Sequence, residues 1–328
     1  MRSLKMLVTI ASFMAATAVV HATPVPPLNL AELCERSDLI VVGRIEVVQQ
    51  LGESQMEVRG SYVQVTRMQA EMMVDYVLKG QMNPGRVSFQ FVLPQPESLG
   101  YRGVPSSYRI VFLRSTGADW QVADPFYPSF PATPHAATKD AGVFANVVGE
   151  LAAALGAVDA SKDDQVTLIW VLGTVQTPAA TRALRAASRS TNQTVRIQSI
   201  ATLLEQNETS MMPVAVELLS KSRDIPGYLV QNVASGIARG VREPSAIPYL
   251  AKLLRNADVR VRRSAATALR QVGTDAAARE LGLALQDSDF EVRYNAVIGI
   301  ADITGQTQWR PLLEEFRDRE DEYLSHWK

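Results

Sequence analysis

The chain has 328 residues, with 33 Lys and Arg against 34 Asp and Glu, three His and one Cys. At 47% hydrophobic and 20% charged it can bury sizeable cores, which excludes a disordered, collagen-like or low-complexity protein. One Cys excludes an internal disulfide framework or a Cys-based zinc site, three His are too few for most His-based metal chemistry, and a net charge of -1 gives no general pull toward nucleic acid or anionic lipid.

Residues 1–22 read as a secretory signal. Arg2 and Lys5 precede an apolar run from Met6 to Val20, and Val20 and Ala22 form a small-residue cleavage site. The run is shorter than the roughly 20 residues that span a bilayer as a helix; an uncleaved anchor is the alternative. Cleavage leaves 31 basic side chains against 34 acidic, and His135 and His326 as the histidines. The mature chain is expected in the periplasm or secreted, without membrane insertion.

Residues 23–124 read mainly as strands. Leu28 to Ser37 forms a short helix with Leu30 and Cys34 on one face, which makes Cys34 a buried structural thiol. LIVVGRIEVVQQ (39–50) has strand composition, and GESQ (52–55) reads as a turn. Residues 61–80 alternate, with Met68, Ala70, Met72, Val74, Tyr76 and Leu78 on one face. QMNPG (81–85) is a turn, 86–94 is a strand, 94–107 is a loop, and 108–114 and 119–124 are two more strands. Such a set after a helix predicts a small, closed or nearly closed antiparallel β-barrel, because closure removes exposed edges. SDLIVVGRI, VDYVLKG and a strand ending in FL resemble the oligonucleotide/oligosaccharide-binding-type (OB) barrel of the netrin and tissue-inhibitor-of-metalloproteinase group. That group usually opens with Cys-x-Cys; here Cys34 stands alone, so inhibitor function does not carry over. A basic strand face for nucleic acid is not supported. Residues 125–142 read as a Pro and aromatic linker that packs Phe126, Tyr127 and Phe130 on a neighbour and carries His135 as a loop residue.

Residues 143–328 repeat. Asp258, Val261, Arg262, Ala265, Leu269 and Leu281 recur 31 positions later as Asp289, Val292, Arg293, Ala296, Ile300 and Leu312. Each unit holds two amphipathic helices, and neither buries its apolar stripe alone. Five pairs are expected, over 143–175, 177–206, 210–241, 245–273 and 275–304, then a closing helix over 307–317 and a charged tail. Pro248, Leu250, Leu253–Leu254, Asp258, Val261–Arg262, Ala265 and Ala268–Leu269 resemble the signature of the HEAT-like repeats, the phycobilisome-lyase type included. The resemblance implies an all-α solenoid, a structural ladder of Asp258, Arg262, Asp289 and Arg293, and a concave face lined by the second helix of each pair. Projection along those helices nominates Val166, Trp170 and Gly173, then Ile197, Ala201 and Leu204, then Asn232, Gly236 and Arg239, then Arg263, Thr267 and Arg270, then Tyr294, Ile298 and Ala301. The groove is thus expected to be apolar at its start, where the barrel could cover it. It is basic through Arg239, Arg263 and Arg270, and mixed at Tyr294. Guanidinium groups suit an acidic segment of a partner, with a solvated face as the alternative.

No Gly-x-x-x-x-Gly-Lys loop, Gly-x-Ser-x-Gly elbow or His-Glu-x-x-His motif occurs, and no catalytic, cofactor or metal residue is nominated. Asp163–Asp164 reads as a helix start, and Trp309 and Trp327 as a cap on the last apolar layer. The expected function is an exported, non-enzymatic scaffold that binds a protein or peptide. The rivals are a small-ligand or glycan binder using Tyr62, Tyr76 and Trp120 of the barrel, and a HEAT-like lyase-type enzyme.

Overall fold

The computed structural model describes residues 27–58, 60–94, 104–117, 119–134, 142–157 and 160–328; the expected signal and His135 lie outside the described residues. Helix α1 (Leu30–Arg36) starts at Asn29, whose side chain accepts from the Glu32 amide. Cys34 is 4% exposed, as its spacing from Leu30 suggested. Burial pushes its thiol up to about 11, against the pull of nearby Lys79. Lys79 Nζ donates to the carbonyls of Cys34 and Glu35, each at 2.9 Å, and so caps the helix end.

Among the described residues six strands follow: β1 (Leu39–Val58), β2 (Ser61–Lys79), β3 (Gly85–Pro94), β4 (Tyr108–Ser115), β5 (Trp120–Val122) and β6 (Ser129–Pro131). They form one sheet in the order β1-β2-β3-β5-β4-β6, and β1 also pairs with β4. Alternate residues of β1 and β4 enter two different cores. Leu39, Val41, Ile45, Val111 and Leu113 pack with Ala70, Met72, Val74, Phe89 and Phe91 on one side. Ile40, Val42, Ile110 and Phe112 face the other way, into a core shared with the helices. Burial on both faces is why these strands read as unbroken apolar runs.

The sheet region differs from expectation at two places. Residues 52–55 are not a turn: β1 continues through them, with Glu53 opposite Thr66 and Gln55 opposite Gln64. The register shifts between Gln50 and Gly52, and Gly52 takes a φ of 147°, so the glycine serves a bulge within a long hairpin. Residues 129–131, expected in the linker, form β6 and pair with β4. Phe130 is fully buried, edge-on to Phe112 at 5.8 Å.

The helical region holds the five expected pairs: α2 (Val143–Leu155) with α3 (Lys162–Gly173), α4 (Pro178–Ala187) with α5 (Gln193–Glu205), α6 (Met212–Ser220) with α7 (Gly227–Gly240), α8 (Ile247–Leu253) with α9 (Val259–Val272), and α10 (Asp275–Ala284) with α11 (Phe290–Thr304). Ser161, Thr177, Asn192, Asp258, Thr274 and Asp289 cap the starts of α3, α4, α5, α9, α10 and α11 with their side chains. The second helices pack in sequence, α3 on α5, α5 on α7, α7 on α9 and α9 on α11. The expected closing helix is instead two, α12 (Leu313–Asp318) and α13 (Glu320–Trp327). The break at Arg319 lets Tyr323 and Leu324 return to the core beside Phe316, and Arg319 bridges Glu315 and Glu322 across it.

Sheet and helices share one apolar core, in which Ile40, Ile110, Phe112 and Phe130 meet Val147, Leu151, Leu168 and Val171. Polar bonds cross the same boundary. Tyr76 donates to the buried Glu150 carboxylate at 2.6 Å, and Arg109 pairs with Asp164 at 3.0 Å. Asp164 also bonds Ser161 at the start of α3, so the acidic pair does belong to a helix start, and it holds the sheet there.

Candidate functional site

An open groove of about 370 Å³ runs across α3, α5 and α7. Val166, Thr167 and Trp170 form its first wall, Gln198, Ala201, Thr202 and Glu205 its floor, and Asn232 and Arg239 its far side. Projection along the helices placed Val166, Trp170, Ala201, Asn232 and Arg239 correctly. On α5 it failed at the two flanking positions: Ile197 and Leu204 are buried in the core, and their neighbours Gln198 and Glu205 line the groove instead. Gly236 is also not a lining residue. It is pressed against α5, where an added Cβ would meet the Ala201 carbonyl oxygen at 2.4 Å.

The start of the groove is not covered by the sheet. Trp170 stays 38% exposed. The sheet region instead supports Trp170 from behind, because the buried Tyr127 stacks on it with ring centroids 5.7 Å apart. Linker packing through Tyr127 was thus legible, but its target was not.

Charge is where the observed groove departs most from the expected one. Each nominated arginine is matched by a carboxylate from a neighbouring repeat. Arg239 pairs with Glu205 at 3.1 Å, and Arg270 with Asp302 at 3.3 Å. Arg263 pairs with Asp289 at 2.6 Å and Glu291 at 2.9 Å. The Arg263 hydrogen bond holds the Asp289 carboxyl below its ordinary range. The stripe is therefore a series of ion pairs between repeats and not a free basic surface. Tyr294 is not a groove residue either: its ring lies 5.4 Å from Phe316, under the C-terminal helices.

The ladder is corrected in its partners. Arg262 forms a two-pronged bond with Asp287, at 2.8 and 3.0 Å, and not with Asp258 or Asp289. Asp258 caps its own helix and pairs with Arg260. Asp289 caps α11. Arg293 pairs with Glu320 of α13. What does repeat is a backbone bond: Arg196, Arg262 and Arg293 each donate to the carbonyl six residues earlier, on Ser190, Asn256 and Asp287. That bond ties each second helix to the loop before it.

Two side-chain pairs cross the groove floor with the same spacing. Asn232 Nδ2 donates to Gln198 Oε1 at 3.0 Å, and Arg239 bonds Glu205, seven residues further along both helices. That single bond leaves the Gln198 amino group and the Asn232 carbonyl oxygen for a ligand. The groove thus offers an aromatic wall, neutral hydrogen-bonding groups and an internally balanced charge pair. Among the described residues, no group of three or more His, Cys, Asp or Glu could hold a metal ion, and no helix is long and apolar enough to cross a membrane.

The sugar-binding residues expected on the sheet do not converge. Tyr62 lies near the tip of the β1–β2 hairpin and is 73% exposed. Tyr76 is bonded to Glu150 at the helical boundary. Trp120 packs against the core enclosed by the sheet.

Residues 212–282 match the family model described as HEAT repeats. Several solved structures are similar to the chain. YibA of Escherichia coli is 21% identical over 50% of this chain and 63% of its own, with a TM-score of 0.34; the chain thus spans less than two thirds of that protein. The CpcE–CpcF complex of phycocyanin lyase from Nostoc is 18% identical over 55% of this chain and 72% of its own, with a TM-score of 0.38. A designed armadillo repeat protein in complex with a Lys-Arg peptide is 17% identical over 48% of this chain and 82% of its own, with a TM-score of 0.35. No curated protein matches.

Proposed function

We propose that the chain is an exported, non-enzymatic scaffold whose concave groove holds an extended segment of a partner protein. The observation that carries this reading is the open groove across α3, α5 and α7. Beside the Glu205–Arg239 pair its polar groups are amides and hydroxyls suited to a peptide main chain, and Trp170 offers its exposed face to an apolar side chain. Long repeat surfaces suit extended ligands. The closed Glu205–Arg239 pair favours a neutral segment there, which replaces the acidic partner suggested by the projected stripe of Arg239, Arg263 and Arg270. The N-terminal sheet is proposed to be a small barrel, supported by the circuit of pairings that returns from β4 to β1, and to act as the N-terminal cap of the array.

Selection of a random peptide library on the full chain tests the groove. Enriched peptides should bind Trp170→Ala and Asn232→Ala about tenfold more weakly, as for central interface residues, and Arg263→Ala equally well. Enriched peptides that ignore Trp170→Ala, or turnover of a substrate in the groove, would overturn the reading.

A further inference from the structure

A second site lies on the sheet, away from the groove. Strand alternation places Arg67 of β2, Gln90 of β3, Gln121 of β5 and Arg114 of β4 on one outer face, because their neighbours Met68, Phe89, Phe91, Val122 and Leu113 turn into the enclosed core. Gln90 is in register with Gln121, and Gln121 with Arg114. Gln69 faces Gln90 on the β2 side, two residues from Arg67. All four residues line one cavity of about 320 Å³, which Met56 and Pro125 also border.

The charge of this cavity is one-sided. No carboxylate lines it. Arg239, Arg262, Arg263, Arg270 and Arg293 each have a carboxylate partner; among the described residues, Arg67 and Arg114 have none. Two guanidinium groups and two amides around one cavity, beside apolar walls, are suited to an anion with planar or tetrahedral oxygens. We propose that this cavity binds a small organic oxyanion, a carboxylate or phosphate ester on an apolar body. Arg67 and Arg114 hold the anion, Gln90 and Gln121 donate to it, and the body rests on Met56 and Pro125.

Calorimetric titration of the full chain with phenyl phosphate, benzoate, inorganic phosphate and benzyl alcohol tests this. Phenyl phosphate or benzoate should bind more tightly than inorganic phosphate, and benzyl alcohol should not bind. The tighter of the two anions distinguishes a phosphate ester from a carboxylate. The Arg67→Ala/Arg114→Ala double variant should lose at least about tenfold in affinity with an unchanged melting temperature, since both side chains are exposed. The Lys/Lys double variant, which keeps charge and loses the fork, should fall between. Raising salt from about 50 to about 500 mM should weaken binding. The proposal fails if neither organic anion binds, or if the alanine double variant binds as wild type does. It also fails if an oligothymidylate binds far more tightly than phenyl phosphate, since the row would then read a nucleic-acid backbone.

Discussion

At the scale of single residues, two adjacent arginines of α9 do different work. Arg262 and Asp287 keep only 14% and 10% of their side-chain surface exposed and form two parallel bonds. Removing Arg262 strands a mostly buried carboxylate, so Arg262→Ala should cost about 3 kcal/mol in urea denaturation. Arg263, at 38% exposure, is screened by water, and Arg263→Ala should cost less than about 1 kcal/mol. Equal losses would mean that burial does not set the ranking. Neither value could be read from the sequence. The Val-Arg dipeptide marks the repeat, but which acid meets each guanidinium depends on the stagger between helices.

Two half-buried tyrosine hydroxyls and the buried Cys34 thiol predict the behaviour at high pH. Burial pushes Tyr76 and Tyr108 up first, and the bonds to Glu150 and Asp75 add to it; burial pushes Cys34 from 9.0 to about 11. The folded chain keeps protons that the unfolded chain gives up. The associated stability is complete below the unfolded values and is lost as pH rises above them. The urea midpoint should therefore fall between pH 9 and 11. Cys34→Ala should flatten that fall, and Tyr76→Phe should flatten it above pH 10. A midpoint independent of pH across this window would contradict the burial of these groups.

Elements explain why most of the helical region was legible. Apolar residues recur at helical spacing, side-chain caps stand at helix starts, and all five pairs appear where the period put them. Contacts between elements were less legible. Projection along helix α5 failed at its two flanking positions because its sequence has apolar residues at Ile197, Ile200, Ala201, Leu203 and Leu204, so more than one face looks buried. GESQ has turn composition, yet the β1–β2 ladder outlasts it, since a glycine serves a bulge as well as a turn. The seam between α5 and α7 depends on glycine in another way. Added Cβ atoms at Gly236 and Gly240 would lie 2.4 and 2.0 Å from the carbonyl oxygens of Ala201 and Leu204. Gly236→Ala should force these helices apart, cost about 1–3 kcal/mol and reshape the groove floor. Gly149, inside α2, has open space around its missing Cβ. Gly149→Ala should stabilise by about 0.5–1 kcal/mol through helix propensity alone. Denaturation of the two variants side by side separates packing from propensity, and a stabilising Gly236→Ala would refute the close seam.

The whole molecule solves the problem of an open repeat array at both ends. Each repeat buries its apolar face against the next, so the terminal faces need covers. At the C-terminal end, Phe316, Tyr323 and Leu324 close the layer of Phe290 and Tyr294, with Trp309 and Trp327 packed at its edge. At the N-terminal end the cover is the sheet itself, through Phe112 and Phe130 against α2 and α3, with Arg109–Asp164 and Tyr76–Glu150 at the boundary. A core divided between strands and helices cannot be released in halves without exposing it. A fragment of residues 143–328 should therefore lose hydrogen-exchange protection in α2, α3 and α4 while α9 to α11 stay protected. The full chain should protect the first helices together with β1 and β4. Protection of α2 and α3 in the fragment equal to that in the full chain would show that the array caps itself and that the sheet is only appended to it.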